Sequence, residues 1–414
     1  DVGEVTIKRV IDSGLNGGSC FELQDTTPLN WKNTGRIYVR GSFWAEWWKT
    51  VGRITEINAE QRSIKTNGYL GWSREGMKAA SSNTHYYYNV LEELSIPGEW
   101  FLDEDTDRLY VYPMDGAMQP SDVVCTTTTS AEYLVTVSGA SNVLISGITF
   151  EVGNGGIRIE NSENVLLQRC TVQDMSSYGV DIYESFKCGM TYSTIRRTSY
   201  VAFQSSVSAQ TRRQLTPSRC FLQNSLIQDI QVTACQILGV GDIFSHNTVQ
   251  YTRSMGVSVV GTECILEYNE MTAQSYAQRD AGAFYVSGAA YNVGNVIRHN
   301  YIHDSNPPGT NNARGIYMDD GCSGNYAYEN VVENMSYGIF VHCGDDNVYK
   351  QNTLIDCHVS AEVSDGASTT ANLASSTYYS FYNGMVNWYA QVKDGPWETR
   401  YPYYEDMAEK CGTA

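Results

Sequence analysis

With 414 residues, 42% of them hydrophobic, the chain has enough apolar material to bury a sizeable core. Its 46 acidic residues against 28 basic ones give a formal net charge of -18, which argues against nucleic acid and anionic membranes as partners. No run of about 18 apolar residues is present, so the sequence predicts no membrane insertion. The first residues, DVGEVTIKRV, lack a basic and then apolar start, so we expect any signal peptide to be absent or already removed.

Residues 1–122 read as a strand-rich part, which we expect to pack on the side of the domain that follows. The run GRIYVRGSFWAEWWKTVGRITEINAEQRSIKT predicts a few β-strands with an aromatic cluster of Trp44, Trp47 and Trp48. Further on, the acidic stretch DEDTD between two strands predicts a turn, because such side chains bond their own backbone.

One pattern recurs along residues 123–357. Each copy has an Asn followed by alternating apolar residues, a variable piece, a Gly and a short strand, as in NYI…ARGIYMDDG. Five of the eight steps between equivalent positions are 22 or 23 residues long, and the other three are longer by about eight to ten residues. The positions taken as equivalent are Gly147, Cys170, Tyr192, Asn224, Asn247, Asn269, Asn300, Asn330 and Asn352.

The period of two within each run favours strands over helices, and Gly, Asn, Asp and Ser punctuate the runs. The sequence therefore predicts an all-β fold: a right-handed parallel β-helix of about nine or more coils. The recurring Asn predicts an inward amide ladder at a bend, each side chain bonding its neighbours one rung, about 4.8 Å, above and below.

Residues 358–414 lose the repeat. They are aromatic and predict an irregular segment with a short helix near Glu405. Because no polar capping element is recognisable, we expect further chain or a partner to cover the ends of the solenoid.

Five runs carry a resemblance to known proteins: RIYVRGSFWAEWW, NVLEELSIPGEWFLDEDTDRLYVYP, RDAGAFYVSG, GIYMDDGCSGN and GIFVHCGDDN. Over roughly residues 5–405 the chain resembles secreted β-helix carbohydrate-active proteins, nearest to glycoside hydrolase families 141 and 120 and their unassigned relatives. The resemblance implies catalytic acids on neighbouring coils, here Asp280 and Asp319. Two positions depart from the pattern: Ala281 stands in place of a second Gly, and Asp345 stands where an Arg is frequent. Either departure implies an altered substrate or lost activity.

Aligning Gly282, Gly315 and Gly338 predicts which side chains share the outer face of one sheet. Phe284, Tyr317 and Phe340 should then point outward as a row of exposed aromatics. Asp319 and His342, 23 residues apart, should stack on adjacent rungs beside them. A row of aromatics next to an acid and an imidazole is typical of a sugar-binding cleft, although an ordinary solvent-facing row is the alternative.

Glycoside hydrolysis usually needs two carboxyl groups about 5 to 9.5 Å apart. We expect Asp280 and Asp319 to supply them, with Asp320, or Asp345 and Asp346 at the next turn, as fallback partners. Along a straight strand Asp280 and Asp319 would be about 20 Å apart, so the pair works only if the bend before Gly282 folds Asp280 back. Loops of the long coils bring Arg314 and His303 as substrate-binding residues at one edge. No metal and no cofactor are predicted.

The sequence thus favours a secreted or cell-surface glycoside hydrolase that uses paired carboxylates on a neutral or mostly neutral polysaccharide or oligosaccharide. An alternative is a non-catalytic β-helix module that binds glycans or builds part of a longer extracellular or filament protein. A polysaccharide lyase ranks third, because only Arg279, Arg298 and Arg314 are near the acids to act as base or stabiliser.

Overall fold

The structure is a computed structural model that describes residues 5–14, 17–32, 36–45, 48–71, 76–80, 83–114, 132–278, 280–305, 313–344, 346–364 and 376–412. The expectations for Trp47, Arg279 and Asp345 lie outside these residues. The chain divides into two compact units, Asp1–Cys125 and Thr126–Ala414. Within the described parts of the chain, no helix is long and apolar enough to cross a membrane.

The first unit contains a closed antiparallel barrel of six strands, ordered β1-β2-β5-β4-β3-β6. The strands are β1 (Val5–Asp12), β2 (Cys20–Leu23), β3 (Tyr38–Ser42), β4 (Lys49–Asn58), β5 (Ser63–Thr66) and β6 (Thr84–Tyr88). Alternate residues such as Phe21, Val39, Ile54 and Ile64 are fully buried inside it, which explains the period-two pattern of these runs.

A two-stranded hairpin of β7 (Trp100–Asp103) and β8 (Arg108–Val111) follows the barrel strands. Two short 3₁₀ helices, Thr27–Asn30 and Leu91–Glu93, complete the unit. The predicted acidic turn is present between β7 and β8: Asp103 accepts hydrogen bonds from the backbone N–H of Asp105 and the hydroxyl of Thr106.

The second unit is a parallel β-helix, as the repeat predicted, with three sheets that each take one strand from every coil. Sheet A holds β9 (Tyr133–Ser138), β12 (Gly155–Glu160), β15 (Val180–Tyr183), β18 (Val201–Ser206), β21 (Thr233–Leu238), β24 (Val257–Val259), β27 (Gly282–Val286), β30 (Arg314–Met318), β33 (Tyr337–His342) and β36 (Val359–Ser364). Sheet B holds β10 (Ser141–Ser146), β13 (Glu163–Gln168), β16 (Gly189–Thr191), β19 (Phe221–Gln223), β22 (Ile243–Ser245), β25 (Ile265–Glu267), β28 (Val296–Arg298), β31 (Tyr326–Tyr328) and β34 (Val348–Lys350). Sheet C holds β11 (Thr149–Gly153), β14 (Thr171–Met175), β17 (Thr194–Thr198), β20 (Leu226–Ile230), β23 (Thr248–Thr252), β26 (Glu270–Gln274), β29 (Tyr301–Ser305), β32 (Val331–Met335) and β35 (Thr353–Ile355).

The predicted amide ladder runs along the turn between sheets B and C. Each Asn donates from Nδ2 to Oδ1 of the next, as in Asn269 to Asn300 at 2.9 Å and Asn300 to Asn330 at 3.0 Å. The same Oδ1 atoms also accept a backbone N–H from the coil before, for example Asn269 N at 3.0 Å from Asn300 Oδ1. The amides of Asn247, Asn269, Asn300 and Asn330 are buried and bonded to the coils on both sides, so the ladder fixes the register of successive coils.

Three positions of the predicted register were one residue out. Gly147, Tyr192 and Asn224 are not ladder positions: they have φ of 69°, 49° and 49°, at the left-handed residue just before the ladder. The ladder position is the next residue, as Ser193 and Ser225 show by accepting backbone N–H groups from the coil before. Gly and Asn are favoured at positive φ, so at Gly147 and Asn224 the residue type marked the turn rather than the ladder.

The C-terminal segment contains helices, which corrects the prediction of an irregular segment after residue 358. Strand β36 still belongs to sheet A, and three helices follow: α2 (Ser376–Val392), α3 (Pro396–Arg400) and α4 (Tyr403–Gly412). With the short α1 (Ala209–Arg213), α3 packs on the turns between sheets A and B, where Trp397 is buried and its Nε1 donates to the Arg212 carbonyl at 2.9 Å. The predicted helix near Glu405 is α4.

Candidate active site

The candidate site lies on the outer face of sheet A, on the consecutive strands β27, β30 and β33. In-register pairing aligns Tyr285 with Tyr317, and Tyr317 with Phe340, in one outward row. Asp319 and His342 follow in the next outward row, since Met318 pairs with Val341 just before them. The predicted stacking of Asp319 and His342 on adjacent rungs is therefore what the structure has.

Phe284 does not belong to this face, so its predicted role in substrate binding is wrong. It pairs with Ile316 and is fully buried in the solenoid core. The prediction aligned Gly282 with Gly315, but Gly282 pairs with Arg314, so this one coil is shifted by a residue. Tyr285, the next residue, points outward instead. The alternation in the run AGAFYV identifies Tyr285 as outward-facing only if the register of this coil is known.

Tyr317 points outward as predicted but is only 3% exposed, so it is not an exposed stacking surface. Its ring packs edge-on against Tyr285 and Phe340, with centroids 5.1 and 5.2 Å away. The Arg314 guanidinium lies over the same ring at 4.2 Å from the centroid. Tyr317 therefore positions its neighbours, and its hydroxyl is the part that reaches the site.

Asp319 is the buried centre of the cluster. Tyr285 Oη donates to its Oδ2 at 2.7 Å, the backbone N–H of Asp320 donates to Oδ1 at 2.8 Å, and His342 Nδ1 lies 3.0 Å from Oδ1. Burial acts to raise the pKa of this carboxyl, but the hydrogen bonds from His342, Tyr285 and Tyr317 outweigh it and leave the pKa lowered. Asp319 is thus an ionised acceptor whose oxygens are already occupied.

Asp320 has the opposite electrostatic character. Burial, and then the adjacent charge of Asp319, raise the pKa of its carboxyl to about 6. Its side chain is half-exposed, so the protonated group can reach a ligand. The turn that carries it approaches Gly288 so closely that a Cβ there would lie 1.9 Å from the Asp320 carbonyl oxygen. Gly288 is thus a supporting residue that the sequence patterns did not single out.

Asp280 does fold back over the face, as the paired-carboxylate prediction required. It sits at φ 58°, and its Oδ1 accepts hydrogen bonds from Arg314 Nη1 and Tyr317 Oη, both at 3.0 Å. The same Tyr317 hydroxyl also contributes to the lowered pKa of Asp319, so it lies near both carboxyl groups.

Arg314 is the cation of the site, and it is almost completely buried. Besides Tyr317, its guanidinium lies over Phe340 at 4.5 Å and Tyr337 at 5.6 Å. A guanidinium surrounded by aromatic rings has lost much of its hydration. Its hydrogen bond to the Asp280 carboxyl group is therefore stronger than it would be in water. Arg314 therefore holds the Asp280 side chain in place, more than it offers a surface for substrate.

His303 lies outside the site, which corrects its predicted role. It is on β29 of sheet C, stacked on Tyr301 with ring centroids 4.1 Å apart, and its nitrogens face Asp304 and Glu270. The sequence placed it near the site because it precedes a long loop, but strands of sheet C face a different side of the solenoid.

Asp319, Asp320 and His342 also offer one ligand atom each within 4.8 Å of one another, a spacing that a metal ion would accept. The same atoms are held together without a cation: His342 Nδ1 lies 3.0 Å from Asp319 and 3.8 Å from Asp320. Its partner Asp319 raises the pKa of the imidazole, so a protonated His342 supplies the positive charge at this point.

The chain belongs to the family described as right-handed β-helix region, whose pattern matches residues 118–225 and 233–392. No curated protein matches the chain. Among solved structures, a protein named glycoside hydrolase is similar at 12% identity over 91% of this chain and 79% of its own, with a TM-score of 0.48. The catalytic domain of a GH87 alpha-1,3-glucanase in complex with tetrasaccharides is similar at 10% identity over 84% of this chain and 90% of its own, with a TM-score of 0.23.

Proposed function

We propose that this protein is a glycoside hydrolase that cleaves a neutral or mostly neutral polysaccharide outside the cell or at its surface. The observation that carries the proposal is the contrast between two neighbouring acids. Asp320 has a pKa raised to about 6, while Asp280 is bound by a guanidinium and a phenol hydroxyl. Glycoside hydrolysis requires one carboxyl group that gives a proton and a second that acts as nucleophile or base.

Asp320 is the general acid in this proposal. A carboxyl with a pKa near 6 still holds its proton at mildly acidic pH and can give it to the glycosidic oxygen as the bond breaks. Because Asp319 holds the backbone of Asp320 through the N–H bond, the acid is fixed relative to the rest of the cluster. Activity should therefore fall as the pH rises above about 6 and Asp320 loses its proton.

Asp280 is the nucleophile or base. Its side chain is 41% exposed, unlike the buried Asp319, so it can meet a sugar or a water molecule. Arg314 Nη1 and the Tyr317 hydroxyl each donate a hydrogen bond to it, and its charge contributes to the raised pKa of Asp320. Asp319 has both oxygens engaged and acts as the anchor that orients Tyr285, His342 and Asp320.

A neutral substrate fits the charges of the site. Three carboxyl groups converge there. Arg314, the cation that the described residues place beside Asp280, is buried against aromatic rings. A polyanionic glycan would meet repulsion from these acids and from a chain of net charge -18. Within the β-helix family, the proposal keeps the chain nearest to glycoside hydrolase families 141 and 120, on the sequence runs quoted above.

The test is a screen of plant and algal polysaccharides for new reducing ends, with wild type, Asp320→Asn and the control Asp356→Asn. Asp356 is an exposed acid that also sits at positive φ, 49°, so it matches the local backbone without belonging to the site. We expect Asp320→Asn to lower the rate about 10²-fold or more and Asp356→Asn to leave it unchanged. Binding without cleavage, or unsaturated products that indicate a lyase, would contradict the proposal.

A further inference from the structure

The first unit has a cavity that the proposed chemistry does not use. Its volume is about 300 Å³, at the lower end of the range of small-molecule sites. Residues from the end of β6 to the start of β7 line it, among them Tyr88, Asn89, Glu93, Glu99 and Trp100. It lies within the described residues of this unit alone.

Two aromatic side chains lie at the cavity in contact with solvent. Trp100 is 60% exposed and Tyr88 is 39% exposed. The Tyr88 ring stacks on Tyr38 with centroids 5.2 Å apart and planes 13° apart, which braces its orientation. A large exposed ring at a concave surface is a common feature of binding sites, because it offers apolar area that a ligand can cover.

The polar groups of the cavity are acceptors that the fold holds in place. Glu93 Oε1 accepts a hydrogen bond from Trp31 Nε1 at 2.8 Å. Glu99 Oε2 accepts the backbone N–H groups of Ser95 and Ile96, each at 2.9 Å. A carboxylate has about four acceptor positions, so Glu93 can also accept a hydroxyl from a ligand.

We infer that this cavity is a second, non-catalytic site that binds a neutral sugar unit of a glycan chain. The sugar ring would cover Trp100, and its hydroxyls would donate to Glu93. The described side chains that line the cavity include acids and no Lys or Arg, which favours a neutral sugar over an anionic one. This inference rests on the cavity itself and does not depend on the proposed hydrolase activity.

A quaternary ammonium ion is the other ligand class that acids and aromatic rings attract. Such cations are usually enclosed by several ring faces. Here Tyr87, the third aromatic at the cavity, is buried, and its hydroxyl lies 2.9 Å from His85 Nε2 within the barrel. Two rings remain, which suits an open surface for a flat sugar better than a cage.

The experiment uses the full chain carrying Asp320→Asn, so that a bound glycan is not consumed. Calorimetry with neutral gluco-, xylo- and manno-oligosaccharides of six units would measure affinity, and choline would serve as the cation probe. Adding Trp100→Ala should lower the affinity for one oligosaccharide class about tenfold or more, and Trp100→Phe should restore part of it. The matched control is Tyr110→Ala, because Tyr110 pairs with Phe101 and so lies on the other face of the hairpin.

Equal oligosaccharide affinity in the chains with and without Trp100→Ala would overturn the inference. Binding of choline that is lost in Trp100→Ala, or no oligosaccharide binding at all, would overturn it too. The outcome is separable from the proposed function, because hydrolysis by the wild type is measured independently. If the wild type cleaves a polysaccharide but Trp100→Ala leaves the affinity unchanged, only the second binding site is contradicted. If Trp100→Ala lowers the affinity but the wild type cleaves nothing, only the proposed hydrolase activity is contradicted.

Discussion

His342 Nδ1 lies 3.0 Å from Asp319 Oδ1 across one rung of sheet A, so an imidazole and a carboxylate from successive coils form one charged pair. The pairing shifts the pKa of both groups. The pKa of Asp319 is lowered even though burial acts to raise it, and the pKa of His342 is raised. Each member therefore keeps the other ionised. Asp320 lies next to this pair, yet its own pKa is raised. The proposed chemistry depends on this raised pKa.

His342→Gln should lower the melting temperature most at pH 5 to 6. The raised pKa of His342 means that its stabilisation is fully present below the ordinary value of 6.5 and is lost as the pH rises through the raised one. With the imidazole partly exposed, we expect a loss of about 1 kcal/mol at pH 6 that shrinks toward pH 9. Thermal unfolding against pH measures it, with His246→Gln, an imidazole stacked on Tyr268, as control. A pH-independent loss would contradict the charged pair.

Asp242→Asn should stabilise the protein at pH 8 but not at pH 4. Asp242 is fully buried in the solenoid, where Ser205, Ser218 and the Cys220 N–H donate to it, yet burial raises its pKa to about 6. A folded pKa above the unfolded value of about 3.9 makes stability fall as the pH rises from about 4 to about 6. The cost above that range is up to roughly 3 kcal/mol.

The solenoid itself supports this substitution. Ile243 pairs with Ile265, and Ile265 with Val296, so Asn295 occupies on a later coil the position of Asp242. Unfolding in urea at pH 4 and pH 8 gives the two free energies. The reverse change, Asn295→Asp, should destabilise the protein at pH 8, and a stabilising effect of that change would contradict the account.

Asn300→Ala should destabilise the protein by about 2 to 4 kcal/mol. Its Nδ2 donates to Asn330 Oδ1 and to the Leu266 carbonyl, and its Oδ1 accepts two hydrogen bonds from Asn269. Removing the amide leaves buried groups on both neighbouring coils without partners. Asn352→Ala, at the half-buried end of the ladder, should cost less. Denaturant unfolding compares the two variants, and equal losses would show that the ladder does not act as a continuous unit.

The fold was largely predictable because the solenoid repeats its signals. The alternation of apolar residues and the Asn spacing predicted parallel coils and the buried amide ladder, since each signal occurs many times. The errors of one residue occurred at Gly147, Tyr192 and Asn224, each at positive φ directly before the ladder. Such an error is hard to avoid from sequence, because turn and ladder residues are adjacent and the ladder position of these three coils holds no Asn.

The site was predictable in part. The spacing of 23 residues placed Asp319 beside His342 because that pair follows from strand register alone. The burial of Tyr317 and the role of Arg314 depend on packing between coils and on the chain that folds back at Asp280, which no periodicity describes. Phe284 and His303 were misplaced because the irregular lengths of their coils hide the register and the sheet to which they belong.

The most direct test of the central claim separates the proposed acid from the proposed nucleophile or base. An activated aryl glycoside releases a phenolate that needs no protonation, whereas the natural glycosidic oxygen does. Asp320→Asn should lower the first-turnover rate on the polysaccharide about 10²-fold or more, with a much smaller loss on the aryl glycoside. Asp280→Asn should lower both rates strongly. If Asp320→Asn cleaves the polysaccharide at the wild-type rate, or if both variants lose the aryl glycoside equally, the assignment of acid and nucleophile is wrong.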